Sequence, residues 1–463
     1  MASMRFLGAA GTVTGSRYLV NTPAGSVLVD AGLFQGRKEL RLRNWEPFPV
    51  PPASLAAVVL THAHIDHTGA LPLLARQGFR GPVHCTPATR DLASLLLPDS
   101  GKLQEEEARF ANKRGYSKHA PNARPLYTER EAVGALRLLQ PLAYGVRREI
   151  LAGVAITFHR AGHILGSATV ELELALGGGA TRRVLFSGDL GRYGAPILPD
   201  PDPAPAADDL LVECTYGDRR HQGDPRAELR QAVRETVERG GALLVPAFAI
   251  GRTQEILFWL RDLEGSGEIP ELPVYVDSPM AVDATPMHLA HREDHDDEMA
   301  RLLAAGVEPL RPARLHFARA PEQSKAINRV EGPCIIVSAS GMATGGRVLH
   351  HLGRRLPDER TTVLLVGYQA PGTRGWSLQN GAQTLRIHGE EVPVRARVVT
   401  LTGFSAHGDM DEVARWVATV PRPPARSFCV HGEPPALAAV RDRLAAQGWS
   451  AFVPRLGEEV ELP

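Results

Sequence analysis

The run Thr-His-Ala-His-Ile-Asp-His at residues 61–67 constrains the fold more than any other feature of the sequence. It directly follows the apolar stretch 56–60, which is typical of a buried strand, so the run lies at the carboxyl end of that strand. In an extended segment, His62 and His64 point to the same side and can hold one ion together. Imidazole and carboxylate groups suit zinc and related divalent ions. The sequence therefore predicts a metal site at the end of a buried strand.

Asp66 and His67 stand one step further along, where residues 68–71 begin a helix, and we expect them to face a second ion. The alternative is a histidine-rich turn that holds no metal. Four potential ligands within six residues exceed what a surface turn requires, which favours the metal interpretation.

Further candidate ligands stand beside glycine, after short apolar runs or among small residues. They are His163, Asp189 and His431. Taken alone, each is more typical of an ordinary loop, but their presence together with the first run favours metal ligation. Asp30 follows the apolar stretch 26–29, and we expect it to orient a ligand histidine from behind. A plain turn aspartate is the alternative for Asp30.

The charge balance neither favours nor excludes a nucleic-acid substrate. Lys+Arg and Asp+Glu are equal at 52 each, so any phosphate-binding surface has to be local. Only five of the basic residues are lysines, a bias that also follows from a GC-rich genome. The length of 463 residues predicts two or three domains with ample core.

The cysteine pattern and the N-terminus both indicate a cytoplasmic protein. Cys85, Cys214, Cys334 and Cys429 lie in or beside apolar runs without a Cys-x-x-Cys pair, which predicts buried free thiols in a reducing cytosol. The N-terminal segment lacks the features of a secretory signal, and the longest apolar runs have strand length. No membrane segment is expected.

A proline-rich stretch at 199–205 separates two regions of the sequence. Beyond it, apolar strands alternate with amphipathic helices, a pattern that predicts a parallel sheet with helices on both faces. Because candidate ligands lie on both sides of this region, it is predicted to be an insertion. The predicted domains are residues 1–207 together with 395–463, and an inserted domain at 208–394.

His288, His291 and His295 have a helical spacing that resembles a metal-binding face. Charged residues, most of them acidic, surround them in the sequence. We therefore predict a solvated helix end and no metal site there.

The candidate ligands resemble, in order and spacing, those of the metallo-β-lactamase fold, and later motifs resemble the β-CASP nuclease branch of that fold. Glu213 carries the acidic motif, His407 the second motif and His431 the third, where histidine is typical of RNA-acting members. No motif residue is missing, and the resemblance covers nearly the whole chain from about residue 5. The matching segments are Val212–Arg219, Pro246–Glu255, Asp277–Ala281, Ser340–Arg347, Phe404–Asp409 and Val430–Glu433.

This resemblance implies an α/β fold, namely a four-layer αββα metallo-β-lactamase sandwich with an inserted Rossmann-like parallel α/β (β-CASP) domain. It implies a metal-dependent endoribonuclease that hydrolyses phosphodiester bonds of single-stranded RNA. Two Zn²⁺ per chain are expected, with Mn²⁺ as the alternative metal. The implied ligands are His62, His64 and His163 for one ion, Asp66, His67 and His431 for the other, and Asp189 as the bridge.

The resemblance also pairs Glu213 with His407, which from the residues alone are unremarkable. His407 is the expected general acid for the leaving 3′ oxygen, and Glu213 is expected to keep it protonated. Asp30 and Asp66 complete the predicted catalytic set.

The glycine-rich run 341–346 follows a predicted strand and can present backbone N–H groups to a phosphate. It matches neither the dinucleotide nor the Walker pattern, and from the residues alone a tight strand–helix turn is favoured. The resemblance instead implies RNA contacts there. The expected contacts are Ser340, Gly341, Thr344 and Arg347, with Arg252 as a second phosphate contact.

Other functions remain open at this level. A 5′-to-3′ exoribonuclease like RNase J needs a pocket for the 5′ end, which the sequence does not show. A hydrolase of small thioesters or lactams does not need the long inserted domain. A non-catalytic RNA-processing scaffold predicts missing ligands, and none is missing. The expected partner is single-stranded RNA, and a homodimer is left open.

Overall fold

The computed structural model describes residues 2–115, 122–177, 179–401 and 403–463. The chain forms two compact units. The first comprises Met1–Tyr193, Asp200–Arg220 and His407–Pro463, and the second comprises Gly194–Pro199 and His221–Ala406.

The strands begin with β1 (Ala2–Phe6), β2 (Tyr18–Thr22), β3 (Gly25–Val29), β4 (Leu55–Val59), β5 (Val83–Cys85), β6 (Leu139–Pro141), β7 (Arg148–Leu151), β8 (Val154–Arg160), β9 (Ala168–Gly177), β10 (Ala180–Phe186) and β11 (Asp209–Glu213). They continue with β12 (Ala242–Pro246), β13 (Pro273–Asp277), β14 (Arg314–Phe317), β15 (Cys334–Ser338), β16 (Thr362–Val366), β17 (Thr384–Ile387), β18 (Glu390–Pro393), β19 (Arg397–Leu401), β20 (Arg426–Val430), β21 (Ala451–Phe452) and β22 (Glu459–Leu462).

The helices are α1 (Lys38–Arg43), α2 (Ile65–Thr68), α3 (Leu71–Arg76), α4 (Pro87–Arg114), α5 (Glu129–Ala135), α6 (Pro225–Glu238), α7 (Arg252–Gly265), α8 (Pro279–Ala290), α9 (Asp297–Ala304), α10 (Pro321–Ile327), α11 (Val348–Arg355), α12 (Arg374–Gln379), α13 (Met410–Val417) and α14 (Pro434–Ala446). Short 3₁₀ turns occur at Pro52–Ser54, Leu136–Leu138 and Arg292–Asp294.

Two sheets form the centre of the first unit, in the strand orders β22-β1-β2-β3-β4-β5-β6 and β21-β20-β11-β10-β9-β8-β7. Apolar side chains of both sheets, such as Phe6, Phe158 and Phe428, share one buried core. The other face of the first sheet packs against α3, α4 and α5, and that of the second sheet packs against α13 and α14. These layers confirm the predicted αββα sandwich.

Each of these sheets contains a run of parallel strands, which decides where the candidate ligands lie. The runs are β3-β4-β5-β6 and β10-β11-β20-β21. Asp30 follows β3 and the run 61–67 follows β4. In the other sheet Asp189 follows β10, Glu213 ends β11 and His431 follows β20. Because neighbouring parallel strands end at the same edge of a sheet, the site residues of each sheet lie close together.

Helix α4 holds the loop that carries His163. The helix begins at Pro87, and the Thr86 side chain caps it by accepting a hydrogen bond from the backbone N–H of Thr89. The hydroxyl groups of Thr86 and Thr89 donate to the Gly166 carbonyl oxygen at 2.7 and 2.8 Å. Gly166 has a φ of +78°, and a side chain there would meet the α4 backbone at 2.5 Å. The capped helix end therefore positions the His163 loop.

The second unit is built on a parallel sheet in the order β14-β13-β15-β12-β16-β19. Strands β12, β15 and β16 are buried along their whole length, as expected for strands covered on both faces. Apolar cores lie on the two faces, one with α6, α7 and α8 and the other with α11. The predicted Rossmann-like parallel sheet is confirmed.

The unit boundaries differ from the predicted domain limits of 207/208 and 394/395. The chain enters the second unit after Arg220 and returns to the first at His407, and the short segment Gly194–Pro199 also belongs to the second unit. Strand β11 belongs to the first unit because it pairs with β10 and β20. Strand β19 belongs to the second unit because it pairs with β16. Strand pairing between residues distant in sequence thus decides to which unit each of these two strands belongs.

The cysteines and the helix lengths bear on the remaining sequence expectations. All four cysteines are buried as free thiols, as predicted: Cys85, Cys214, Cys334 and Cys429. Within the described ranges, no helix combines the length and the apolar character needed to cross a membrane.

The prediction that His288 lies at a solvated helix end is wrong. This side chain is only 1% exposed, because it shares the inner face of α8 with Ala281 and Ala284. Its Nδ1–H donates to the Ala284 carbonyl oxygen at 3.0 Å. Burial lowers the pKa of His288 to about 4, so the ring is neutral at neutral pH.

Candidate metal centre

The first group of donor atoms comes from the 61–67 run, the His163 loop and the end of β10. Nε2 of His62 lies 3.0 Å from Nδ1 of His64, and Nε2 of His163 lies 3.3 Å from the same Nδ1. Oδ2 of Asp189 lies 3.5 Å from His62 Nε2 and 3.6 Å from His163 Nε2. Three ring nitrogens and one carboxylate oxygen thus face one point.

The second group uses the other oxygen of the same aspartate. Oδ1 of Asp189 lies 3.3 Å from Nε2 of His67. Nε2 of His431 lies 3.3 Å from Nε2 of His67 and 3.6 Å from Oδ2 of Asp66. Asp189 therefore reaches both groups, one oxygen to each, which is the arrangement of a bridging carboxylate.

The donor sets fit zinc ions. Ligands at about 2.0–2.1 Å in tetrahedral geometry are about 3.3 Å apart, and the donor spacings here run from 3.0 to 3.6 Å. Burial lowers the pKa of His62 well below its usual range and that of His64 to about 4. Both rings are therefore neutral at neutral pH, which is the form that binds metal.

Asp30 lies behind His67. Its Oδ2 is 2.7 Å from Nδ1 of His67, and it also accepts hydrogen bonds from the Thr61 backbone N–H and hydroxyl. Burial alone lowers the pKa of His67, but Asp189 and Asp30 together raise it well above its usual value. Because a carboxylate oxygen accepts, the 2.7 Å contact holds the Nδ1–H of the ring and directs Nε2 to the donor group.

Thr215 orients the ring of His431 through a contact to Nδ1, as Asp30 orients the ring of His67. Its hydroxyl donates to the His431 carbonyl oxygen at 3.2 Å, which leaves its oxygen to accept from Nδ1 of the same ring at 3.1 Å. This orients Nε2 of His431 to the second donor group. The sequence interpretation did not assign a role to Thr215 or to Thr61, although Thr215 lies two residues after Glu213 in a quoted motif.

Glu213 and His407 form the predicted pair. Nδ1 of His407 lies 3.0 Å from Oε1 of Glu213, whose side chain is 1% exposed. The backbone N–H groups of Leu190 and Thr215 also donate to this carboxylate, which fixes its orientation. Burial alone lowers the pKa of His407, but the charge of Glu213 and its hydrogen bond raise it to about 9. His407 is therefore protonated, 3.9 Å from Asp189.

Three family models match the chain in succession. They are described as the metallo-beta-lactamase superfamily (residues 10–234), the Beta-Casp domain (residues 253–378) and the Zn-dependent metallo-hydrolase RNA specificity domain (residues 391–454). A ribonuclease of Thermus thermophilus is 39% identical over 98% of this chain and 98% of its own length. The chain belongs to the β-CASP family of metallo-β-lactamase-fold proteins. Members of this family are zinc-dependent hydrolases, and the chain is an enzyme of that class.

The β-CASP membership agrees with further similarities. A transcription termination factor named FttA from Methanosarcina mazei is 34% identical over 92% of this chain, which spans 66% of that relative's length. The crystal structure of a protein of unknown function from Enterococcus faecalis covers 100% of both chains, with a TM-score of 0.56 and 12% identity. The latter similarity concerns the fold alone.

The predicted RNA contacts of the β-CASP domain lie in the second unit. Ser340, Gly341 and Thr344 belong to the loop after β15, as expected. A side chain at Gly341 would meet the Phe248 ring at 3.1 Å, so glycine is required there by a close approach. The hydroxyl oxygen of Ser340 accepts a hydrogen bond from the Thr344 backbone N–H at 3.1 Å, within the same loop.

The two predicted arginine contacts are held by the protein itself. Arg347 donates to the buried carboxylate of Asp277 at 2.7 Å and to the carbonyl oxygens of Ala318 and Arg319. Arg252 is 6% exposed and pairs with Glu255 one helical turn on. Arg252 is therefore poorly placed to contact a phosphate directly. Arg347 instead holds the loop after β15 against Asp277 and the segment 318–319.

Asp277 is the centre of a polar network. The sequence shows it only as the first residue of a matching segment and indicates no role for it. Its carboxylate is fully buried and also accepts from the hydroxyl of Ser324 and from Nε2 of His351. Burial raises the pKa of Asp277, but His351, Ser324 and Arg347 together hold it below its usual value. The network ties α10 and α11 to the end of β13.

Proposed function

We propose that this protein is a metal-dependent endoribonuclease that cleaves phosphodiester bonds of single-stranded RNA through a dinuclear zinc site. The observation that supports this most directly is the placement of Asp189, whose two oxygens face two separate donor groups. A single-metal hydrolase does not need the second group of donors.

The residues proposed to hold the metal fall into two sets. His62, His64 and His163 would hold one ion, Asp66, His67 and His431 the other, and Asp189 would join them. Two zinc ions bound there would supply an activated water at neutral pH and would neutralise charge on the scissile phosphate.

The chain's own residues supply the remaining chemistry. His407, protonated by virtue of Glu213, donates its proton to the leaving 3′ oxygen. Glu213 is held by two backbone N–H groups and accepts a hydrogen bond from Nδ1 of His407, which raises the pKa of that ring. Asp30 and Thr215 keep the rings of His67 and His431 in the orientation that directs Nε2 into the site.

Single-stranded RNA is the proposed substrate for two reasons. The match to a domain described by its RNA specificity covers residues 391–454. The relative from Thermus thermophilus, which spans nearly the whole chain, is named a ribonuclease. A small-molecule substrate would not require the inserted second unit.

The test is digestion of 5′-labelled single-stranded RNA by the zinc-loaded protein, with every product length and end read. We expect internal fragments of varied length. Release of labelled mononucleotide alone would support the 5′-to-3′ exonuclease instead. No product from a protein with two zinc ions bound would contradict the ribonuclease proposal and direct the search to small esters. The matched control is His64→Ala, which should lose zinc and cleavage together.

A further inference from the structure

Exposed aromatic side chains mark the carboxyl edge of the parallel sheet in the second unit. Phe248 follows β12 and is 45% exposed, Tyr368 follows β16 and is 37% exposed, and Trp376 in the next helix, α12, is 39% exposed. Strands β12 and β16 are neighbours, and β15 lies on the other side of β12. Phe248 and Tyr368 therefore follow adjacent strands, and Trp376 lies in the helix after the second of these strands.

The loops that carry these rings are locked together. The Phe248 ring lies against Gly341, whose carbonyl oxygen accepts from Nε2 of Gln369, the neighbour of Tyr368. The backbone N–H of Gly375, the neighbour of Trp376, donates to the carbonyl oxygen of Met342 at 3.0 Å. The loop after β15 thus contacts the segments that carry all three aromatic residues, which expose their rings in the same region of the second unit.

The composition of this surface distinguishes it from an ordinary apolar patch. Within the described part of the second unit, every large hydrophobic side chain that is exposed is aromatic, and the fourth, Phe317, ends β14. The exposed leucines and valines all belong to the first unit. Exposed rings without exposed large aliphatic side chains in the described part of the same unit, near polar loop residues such as Ser340 and Thr344, fit flat polar partners such as bases better than an apolar protein face.

The surface also carries an uncompensated positive charge. Arg374 precedes Trp376 by two residues and donates to the carbonyl oxygens of Ala343, Thr344 and Arg386. It forms no ion pair within the described ranges, whereas Arg347 is paired with Asp277. A fixed guanidinium beside exposed rings is complementary to a phosphate next to a base.

We propose that Phe248, Tyr368 and Trp376 stack on bases of single-stranded RNA and that Arg374 contacts the backbone between them. This inference rests on the proposed ribonuclease function and deepens it, since it names the residues that grip the substrate. Stacking is tolerant of sequence because every base has a flat face. The RNA contacts are then aromatic rings together with Arg374, in place of the expected Arg252 and Arg347.

The experiment compares two fluorescein-labelled ligands, a single-stranded oligouridylate and an abasic ribose–phosphate chain of the same length. Binding is followed by anisotropy in the presence of a chelator, which prevents cleavage. Phe248→Leu, Tyr368→Leu and Trp376→Leu are each expected to weaken oligouridylate binding between about 5-fold and 150-fold, the effect of one lost stack. Binding of the abasic chain should stay unchanged. Trp376→Phe should bind oligouridylate almost as tightly as the parent, in contrast to Trp376→Leu. Oligouridylate should also quench the fluorescence of Trp376.

Phe110→Leu, which removes an exposed ring from α4 in the first unit, is the matched control and should bind like the parent. Equal losses for both ligands would indicate a structural effect and overturn the proposal, as would unchanged oligouridylate binding in all three leucine variants. Arg374→Gln should weaken both ligands alike; unchanged binding would remove Arg374 from the surface. If the rings are needed for binding but the zinc-loaded parent does not cleave RNA, this proposal stands and the nuclease function is contradicted. If the parent cleaves RNA but binding does not depend on the rings, the nuclease function stands and this proposal is overturned.

Discussion

The carboxylate of Asp30 lies 2.7 Å from Nδ1 of His67, on the side of the ring opposite to its donor atom Nε2. Both side chains are buried, at 1% and 2% exposure, so the contact is shielded from water. Asp30 also accepts two hydrogen bonds from Thr61, which begins the ligand run. One buried carboxylate therefore aligns the strand end and the candidate ligand His67 together.

Replacing Asp30 by asparagine should weaken the zinc affinity of the second position by about 10- to 100-fold, because the ring loses its charged partner. Zinc titration with a competing chelator measures this directly. Asp442→Asn, at an exposed position on α14, should leave both affinities unchanged. Two unchanged affinities in the Asp30 variant would show that the contact has no part in metal binding.

His431→Ala should remove one of two zinc ions and abolish cleavage while the fold survives. Nε2 of His431 is one of the nitrogen donors of the second group, and the ring stands on the loop after β20 without forming the core. Elemental analysis of the purified variant, together with circular dichroism, checks both statements. Full retention of zinc would mean that His431 is wrongly placed among the ligands.

Glu213→Gln should keep both zinc ions and slow cleavage by about 10²- to 10⁴-fold, the usual contribution of one proton-transfer group. His407→Ala should cost a similar factor, and the double variant little more, because the two residues act as one unit. Single-turnover rates on labelled RNA provide the comparison, with Glu322→Gln on exposed α10 as the control. Near-normal turnover of the Glu213 variant would exclude it from the mechanism.

The buried His288 should make stability fall in mild acid. Its pKa is about 4 in the folded state, against about 6.5 for an unfolded chain. Below pH 6.5 the unfolded chain gains a proton that the folded one does not, so stability is lost as the pH falls towards 4. The loss from this residue is at most about 1.4 kcal/mol for each pH unit.

Urea midpoints at pH 7 and pH 5 should therefore differ less for His288→Leu than for the parent. His316→Gln, at an exposed position of β14, should leave the difference as it is. An equal pH dependence in parent and His288→Leu would show that folding does not lower the pKa of this histidine.

Much of the candidate metal centre could be proposed from local sequence. His62, His64, Asp66 and His67 are close in the chain, and an apolar run before them predicts a strand end, so residue type and position suffice. The positions of Asp189 and His431 after short apolar runs follow the same logic. Their assignment to separate donor groups is a matter of three-dimensional placement, which the structure supplies as distances.

The partners of the two motif arginines could not be predicted in this way. Arg347 follows a glycine-rich loop and resembles a phosphate contact, yet Asp277, 70 residues earlier, binds its guanidinium. The exposed rings of Phe248 and Trp376 also have no sequence signature, since an aromatic residue near a strand end is equally typical of the core.

The sequence by itself determined the element types and the donor chemistry, because both depend on short-range periodicity and on the nature of single side chains. Only the tertiary structure decided that Glu213 meets His407, 194 residues further on, and that Asp189 faces two donor groups. It also decided the unit boundaries, through the pairing of β11 with β10 and β20 and of β19 with β16. The physical reason is that strand pairing and burial select contacts by position in space, whatever the separation along the chain.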